Sequence, residues 1–199
     1  AGMMDCKKAL EATNGDMNAA MDWLREKGIA KANKKESRIA AEGLANIFVD
    51  GNKAVILEVN SETDFVSKNE EFTDMIKEIG MALLKSNAKT LEEANALKFE
   101  EGTIADYIVD KTAKIGEKLS LRRFEKLTGD CVASYIHGGG RIGVLVAGTG
   151  ASDDAAKEAL TNIAMQIAAM NPQYISRADM ADEEVAKLRE ITVDSALND

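Results

Sequence analysis

The sequence predicts an α+β fold: a small helical segment, then two similar α+β units, each an antiparallel hairpin-based sheet packed with helices. Three observations carry this. At the N-terminal end, apolar residues recur at helical spacing, first Met3, Cys6 and Leu10, then Met17, Ala20, Met21 and Leu24. From residue 43 the period changes to two around Asp50-Gly51-Asn52, and the same alternation returns after Gly129 around a run of glycines. An amphipathic helical stretch follows each alternating pair, and the two copies are offset by roughly 87 residues, which points to one unit used twice.

Taken in order, the helical spacing places one helix up to the Asn14-Gly15 turn and a second capped by Asp16, with Gly28 in the left-handed position past its end. A helical hairpin this small buries too little surface to stand alone and needs a third helix; none precedes it here. Lys31, Lys34, Lys35 and Arg38 form a basic cluster, expected to be a solvated linker or helix face because no aromatics interleave for base stacking. Ala45, Ile47 and Val49, then Val55, Leu57 and Val59, make the first hairpin. Ser61-Glu62-Thr63-Asp64-Phe65-Val66 follows, and Ser67 with Glu70 is spaced as a capping box for a helix with the stripe Phe72, Met75, Ile76, Ile79 and Leu83. Residues 87–116 read as helical and polar, with Thr90 and Glu93 as another capping box, and Leu119–Leu127 as a strand. The second hairpin turns at His137-Gly138-Gly139-Gly140 into Ile142, Val144 and Val146. Ser152 or Asp153 then caps a helix with the stripe Leu160, Ile163, Ala164 and Ile167, ended by Asn171-Pro172. An acidic helix runs from Asp182. The expected divisions are 1–38 (helical hairpin and basic linker), 39–127 (first core unit) and 128–199 (second core unit with the acidic helix).

Composition narrows the function. The 199 residues carry 25 Lys+Arg against 34 Asp+Glu, a formal charge of -9, which argues against a nucleic-acid binder relying on bulk positive charge. The charge is uneven: residues 1–38 are net +2 and residues 151–199 net -6. No apolar run approaches the roughly 20 residues that span a bilayer, and no secretory signal opens the chain. The missing initiator methionine and the abrupt Asn198-Asp199 end suggest a piece of a longer protein. Cys6 and Cys131 lack motif spacing and are expected as buried thiols in a reducing compartment; His137 is the only histidine, so a zinc site or a Cys-His dyad has too few parts.

Motifs with catalytic meaning fail on their context. Gly138-x-Gly140-x-x-Gly143 matches the dinucleotide pattern, but that fingerprint must leave a strand and open a helix, whereas these glycines enter a strand. Gly148-x-Gly150 precedes a helix but has Asp153 at the third place. Glu62 and Asp64 read as a helix N-terminal charge preference, not an acid/base pair. No catalytic residue, metal site or cofactor is expected. On the residues alone, Phe65 is best placed in the core beside Phe72, and His137 in a partly exposed turn.

Three stretches resemble one family. Ala1-Gly2-Met3-Met4-Asp5-Cys6-Lys7-Lys8-Ala9-Leu10 with Asn14-Gly15-Asp16, then Leu57-Glu58-Val59-Asn60 through Thr63-Asp64-Phe65-Val66, then His137-Gly138 with Arg141-Ile142-Gly143-Val144-Leu145-Val146 are similar, in order, to signatures of bacterial elongation factor Ts. The resemblance implies a ubiquitin-associated-like helical domain, its first helix missing here, ahead of two α+β subdomains. No dimerisation segment is evident in this stretch. It implies a cytoplasmic exchange factor that binds elongation factor Tu and promotes GDP release by disturbing the Mg²⁺ and phosphate site, without contacting nucleic acid or membrane. Carried over residue by residue, Asp64 and Phe65 would be the wedge, and Thr63 and Val66 would shape the helix start. His137 with Gly138 would touch another domain of the partner. Met3, Met4 and Lys7 would be weaker contacts, with core packing of the methionines as the competing expectation. The alternatives are a passive interaction adaptor and a nucleotide-binding enzyme using the glycines at 138–150.

Overall fold

The computed structural model describes residues 3–198; Ala1 and Gly2 of the first signature, and Asp199, lie outside them. The chain divides into two units, one running to Ala168 and one from Ala169. Helices α1 (Met3–Ala12) and α2 (Met17–Asn33) are joined through Asn14 and Gly15, both at positive φ, and Asp16 caps α2 by accepting from the Ala19 N–H at 2.9 Å. Gly28 does not end α2. It lies inside the helix, where a Cβ would stand 3.1 Å from the Ala113 Cβ of α5 (Ile104–Ile115). The glycine that resembles a stop signal instead lets two helices approach closely, so α5, far downstream, packs against the second helix of the hairpin. Arg25 reaches Glu101 and Asp110 across the same contact, each at 3.6 Å.

Strands β1 (Glu42–Asp50) and β2 (Lys53–Ser61) form the expected hairpin with Gly51 at φ 60°, and β5 (Ser120–Thr128) adds to the other edge of β2, giving the antiparallel order β1-β2-β5. Alternation sorts β2 by face. Val55, Leu57 and Val59 are buried in one core cluster with Phe72, Met75, Ile76, Ile79 and Leu83 of α3 (Glu70–Lys85). Asn69, not Ser67, caps α3, because a 3-10 turn at Val66–Lys68 intervenes and takes up Ser67. Residues 87–116 are not helical throughout. The short α4 (Leu91–Asn95) is followed by a two-stranded ribbon, β3 (Lys98–Phe99) with β4 (Gly102–Thr103), before α5, which carries its own capping box of Thr103 and Asp106. Thr90 does accept from the Glu93 N–H, but the Glu93 carboxylate reaches the Lys89 N–H, so the box is only half formed as expected.

The second hairpin, β6 (Cys131–His137) with β7 (Ile142–Gly148), is paired from Cys131↔Gly148 to His137↔Ile142. It covers the opposite face of the first sheet: a Cβ on Gly143 would come within 3.1 Å of both Ala45 and Ile56. Its tip is tied to the free edge of β1, where the Ala45 N–H donates to the Gly140 carbonyl at 2.8 Å. Helix α6 (Asp154–Met170) follows, its Asp153 accepting from the Ala156 N–H, and Leu160 packs on Gly148. Ala164 is fully buried, but Ile163 is 48% exposed, since adjacent helical residues point about 100° apart and Ala164 takes the inner position. In the unit beyond Ala168, Asn171 and Pro172 end α6, a 3-10 turn spans Arg177–Asp179, and α7 covers Asp182–Asn198 with Asp182, Glu183 and Glu184 in its first turn. Cys131 is buried and Cys6 half-buried, and neither is in a disulfide. The mixed α/β content with small antiparallel sheets agrees with the expected α+β class.

Packing inside the first unit is tight enough to reverse a propensity effect. A Cβ on Gly80 of α3 would come within 2.2 Å of two ring carbons of Phe48. Gly80→Ala gains about 1 kcal/mol of helix propensity but overpacks the site by more, so a net loss of about 1–2 kcal/mol is expected in urea unfolding. A more stable variant would show that Phe48 moves aside freely.

Candidate functional site

The ladder between β2 and β5 ends at Asn60↔Ser120, which lays the chain leaving β2 alongside the chain entering β5. Gly116 closes α5 in the left-handed conformation, φ 92°, and turns Glu117 and Lys118 toward residues 61–63. Five polar contacts then form among these segments and Arg38. The Glu117 carboxylate accepts from the Thr63 N–H at 2.9 Å and the Thr63 hydroxyl at 2.7 Å. The buried Ser61 hydroxyl donates to the Thr63 carbonyl at 2.9 Å. Glu62 accepts from the Lys118 N–H at 2.6 Å and pairs with Arg38 at 3.2 Å. The Lys118 N–H is the largest influence holding the Glu62 carboxyl below its ordinary pKa; partial burial opposes it and Arg38 reinforces it. Glu62 is thus a structural anion, not a helix N-terminal charge.

Two of the basic residues expected to form a solvated linker or helix face, Lys35 and Arg38, are engaged here, while Lys31 and Lys34 are exposed as expected. The Lys35 ammonium donates to the Gly116 carbonyl, the Lys118 ammonium donates to the Glu36 carbonyl, and Lys31 pairs with Asp5 at 3.4 Å.

Beyond Thr63 the chain makes its 3-10 turn. The Asp64 carbonyl accepts from both the N–H and the hydroxyl of Ser67, and the Phe65 carbonyl accepts from the Lys68 N–H. Three residues per turn separate neighbours by about 120°, so Val66 and Phe65 cannot share a side. Val66 joins the core at 7% exposure and Phe65 is left 80% exposed. The expectation from residue type alone, Phe65 in the core beside Phe72, is overturned; Phe72 alone goes in. Asp64 is exposed next to Phe65, and Thr63 is half-buried behind it.

The other predicted residues lie on different elements. His137 ends β6, exposed, with the Tyr135 hydroxyl 3.0 Å from its Nδ1, and Gly138 opens the exposed tip at φ 60°. On α1, Met3 is 89% and Met4 63% exposed, so the core expectation for them fails; Lys7 pairs with Glu11 at 3.7 Å. Sequence reasoning missed Glu117. Nothing local marks it, because its importance comes from a partner 54 residues earlier.

Nothing in these arrangements resembles acid–base or nucleophilic machinery. The glycines at 138–140 link two strands, so they do not open a helix whose N-terminus could take a phosphate. Among the described residues no group of three or more His, Cys, Asp or Glu could hold a metal, and no helix is long and apolar enough to cross a membrane. What the geometry offers is an apolar ring held outward on a braced turn. In comparison with known families, a model described as Elongation factor TS matches residues 62–199, more than half of the chain, beginning at Glu62 in this site.

The Glu62 contacts give a pH dependence with a definite sign. Its carboxyl titrates lower folded than unfolded, so its stabilisation is present above the usual carboxylate range and is lost as pH falls through the folded value. Glu62→Gln is expected to lower stability at pH 7 and to lose less on going to about pH 3 than the unsubstituted chain. Denaturant unfolding at the two pH values checks this; parallel losses would contradict it.

Proposed function

We propose, on the premise that this chain belongs to the elongation factor Ts family, that it binds elongation factor Tu and promotes GDP release by disturbing the Mg²⁺ and phosphate site of that GTPase. Membership assigns the chain to translation and to guanine-nucleotide exchange; the partner and the route are the proposal. The observation that carries it is Phe65, an aromatic ring 80% exposed on a turn whose neighbours are anchored. A ring left in water at such a place has its burial free energy, about 1.5–3 kcal/mol, available to a partner.

Exchange of this kind needs no catalytic side chain. The factor binds preferentially to the partner conformation that holds nucleotide poorly, and linkage makes the effect reciprocal, so bound Mg-GDP weakens the factor's own binding by the same coupling. Phe65, with Asp64 beside it, enters the GTPase domain; Thr63 and Val66 hold the turn that presents them. His137 and Gly138 at the tip of the second hairpin touch another domain of the partner, and Met3, Met4 and Lys7 on α1 give a third contact. Exposed methionines suit such a surface because their side chains adapt to the partner's shape. The site of action is the cytoplasm, and neither nucleic acid nor membrane is contacted directly.

Phe65→Ala separates this function from folding. Since the ring is solvent-exposed, unfolding free energy is expected to change by less than about 0.5 kcal/mol. Release of a fluorescent GDP from elongation factor Tu at saturating factor is expected to slow by about ten- to hundredfold. Unchanged exchange would remove Phe65 as the wedge. Partner binding that is indifferent to Mg-GDP would favour the adaptor reading.

A further inference from the structure

We infer that Glu117 is a positioning residue for the exchange wedge: its carboxylate sets the direction in which Phe65 is presented. This rests on the function proposed above. Thr63 has every backbone and side-chain hydrogen-bonding group engaged. Its N–H and hydroxyl donate to the two Glu117 oxygens at 2.9 and 2.7 Å, and its carbonyl accepts from Ser61. Phe65 follows two residues later, with only Asp64 between. The ring is exposed, so packing does little to orient it, and its direction is inherited from the backbone on either side. On the far side that backbone is fixed by Val66 in the core. On the near side it is fixed by Thr63, and therefore by Glu117.

The chemistry of the clamp explains why a carboxylate stands there. Two donors converge on it, and an ionised carboxylate is an acceptor at both oxygens. An amide of the same length has one acceptor and one NH₂, so it keeps the Thr63 N–H only if the Thr63 hydroxyl turns round to accept, and neither bond is then charge-assisted. Glu117 is half-buried with both oxygens turned to Thr63, so it acts through Thr63. It is held from behind as well, since Lys35 and Lys118 fasten the residues on either side of it to the segment after α2.

The test uses the full chain and fluorescent-GDP release from elongation factor Tu, titrated with wild type, Glu117→Gln, Thr63→Val, Phe65→Ala and the Phe65→Ala/Glu117→Gln double variant. Loss of a charge-assisted hydrogen bond predicts that Glu117→Gln lowers the maximal release rate about tenfold. The half-saturating concentration should move less than about threefold, because the other contacts remain. In the Phe65→Ala background, Glu117→Gln should cost nothing more. A wild-type maximal rate for Glu117→Gln, or an equal further loss in the Phe65→Ala background, overturns the inference. If Glu117→Gln lowers the melting temperature, Thr63→Val, which deletes only the hydroxyl donor, carries the same comparison. Failure of wild type to accelerate release at all would overturn the proposed function itself, and this shows before any substitution is made.

Discussion

Pairing of β5 with β2 is the contact on which the rest of this molecule depends. It joins residues 60 to 75 positions apart and runs antiparallel from Lys53↔Thr128 to Asn60↔Ser120. Antiparallel pairing necessarily lays the end of one strand beside the start of the other, so residues 116–118 come to lie against residues 61–63. A bulge near the end adds Arg122 between the partners of Glu58 and Val59, and Glu58 meets both Arg122 and Arg123 there. Because α5 enters β5 through Gly116, the same pairing carries α5 into place, and α5 in turn receives α2 along Gly28.

Strand β2 is also covered on both faces. One carries Val55, Leu57 and Val59 into the helical layer, while Ile56 meets the second hairpin at Gly143. Each fully buried side chain of this core is worth about 1.5–3 kcal/mol, against a net stability of about 5–15 kcal/mol for a typical domain. The polar contacts around Thr63 operate on another scale. Exposed ion pairs such as Arg38–Glu62 contribute about 0–1 kcal/mol. Their importance lies in direction: they hold a turn in one conformation on a frame that the apolar core has already made stable.

That division of labour suits the proposed exchange activity. A factor that shifts a partner's conformational equilibrium must keep its own wedge from yielding, since any reorganisation of the factor subtracts from the coupling delivered to the partner. A ring on a braced turn delivers its burial energy to the partner; the same ring on a loose loop spends part of it on becoming ordered. The net charge of -9 has little part in this. Its most acidic portion is residues 151–199, while the candidate contacts at Phe65, His137 and Met3 rely on shape.

Local signals made much of the architecture legible. Alternation at Val55, Leu57 and Val59, the stripe from Phe72 to Leu83, the Gly51 turn and the Asp16 cap each act within a few residues, and each sits where its own chemistry requires. The ribbon at residues 98–103 was not legible, because two-residue strands have no period. Gly28 misled because a glycine that ends a helix and one that admits a neighbouring helix are the same residue in sequence. The signature at residues 63–66 marked a candidate site through resemblance, yet residue type alone sent Phe65 inward. Thus the sequence by itself determined the longer helices and strands and which of their faces are apolar, since those depend on neighbours along the chain. The tertiary structure decided that Val66 goes in and Phe65 stays out, and that Glu117 braces Thr63, because these outcomes follow from a strand pairing that spans 60 to 75 residues and leaves no local trace.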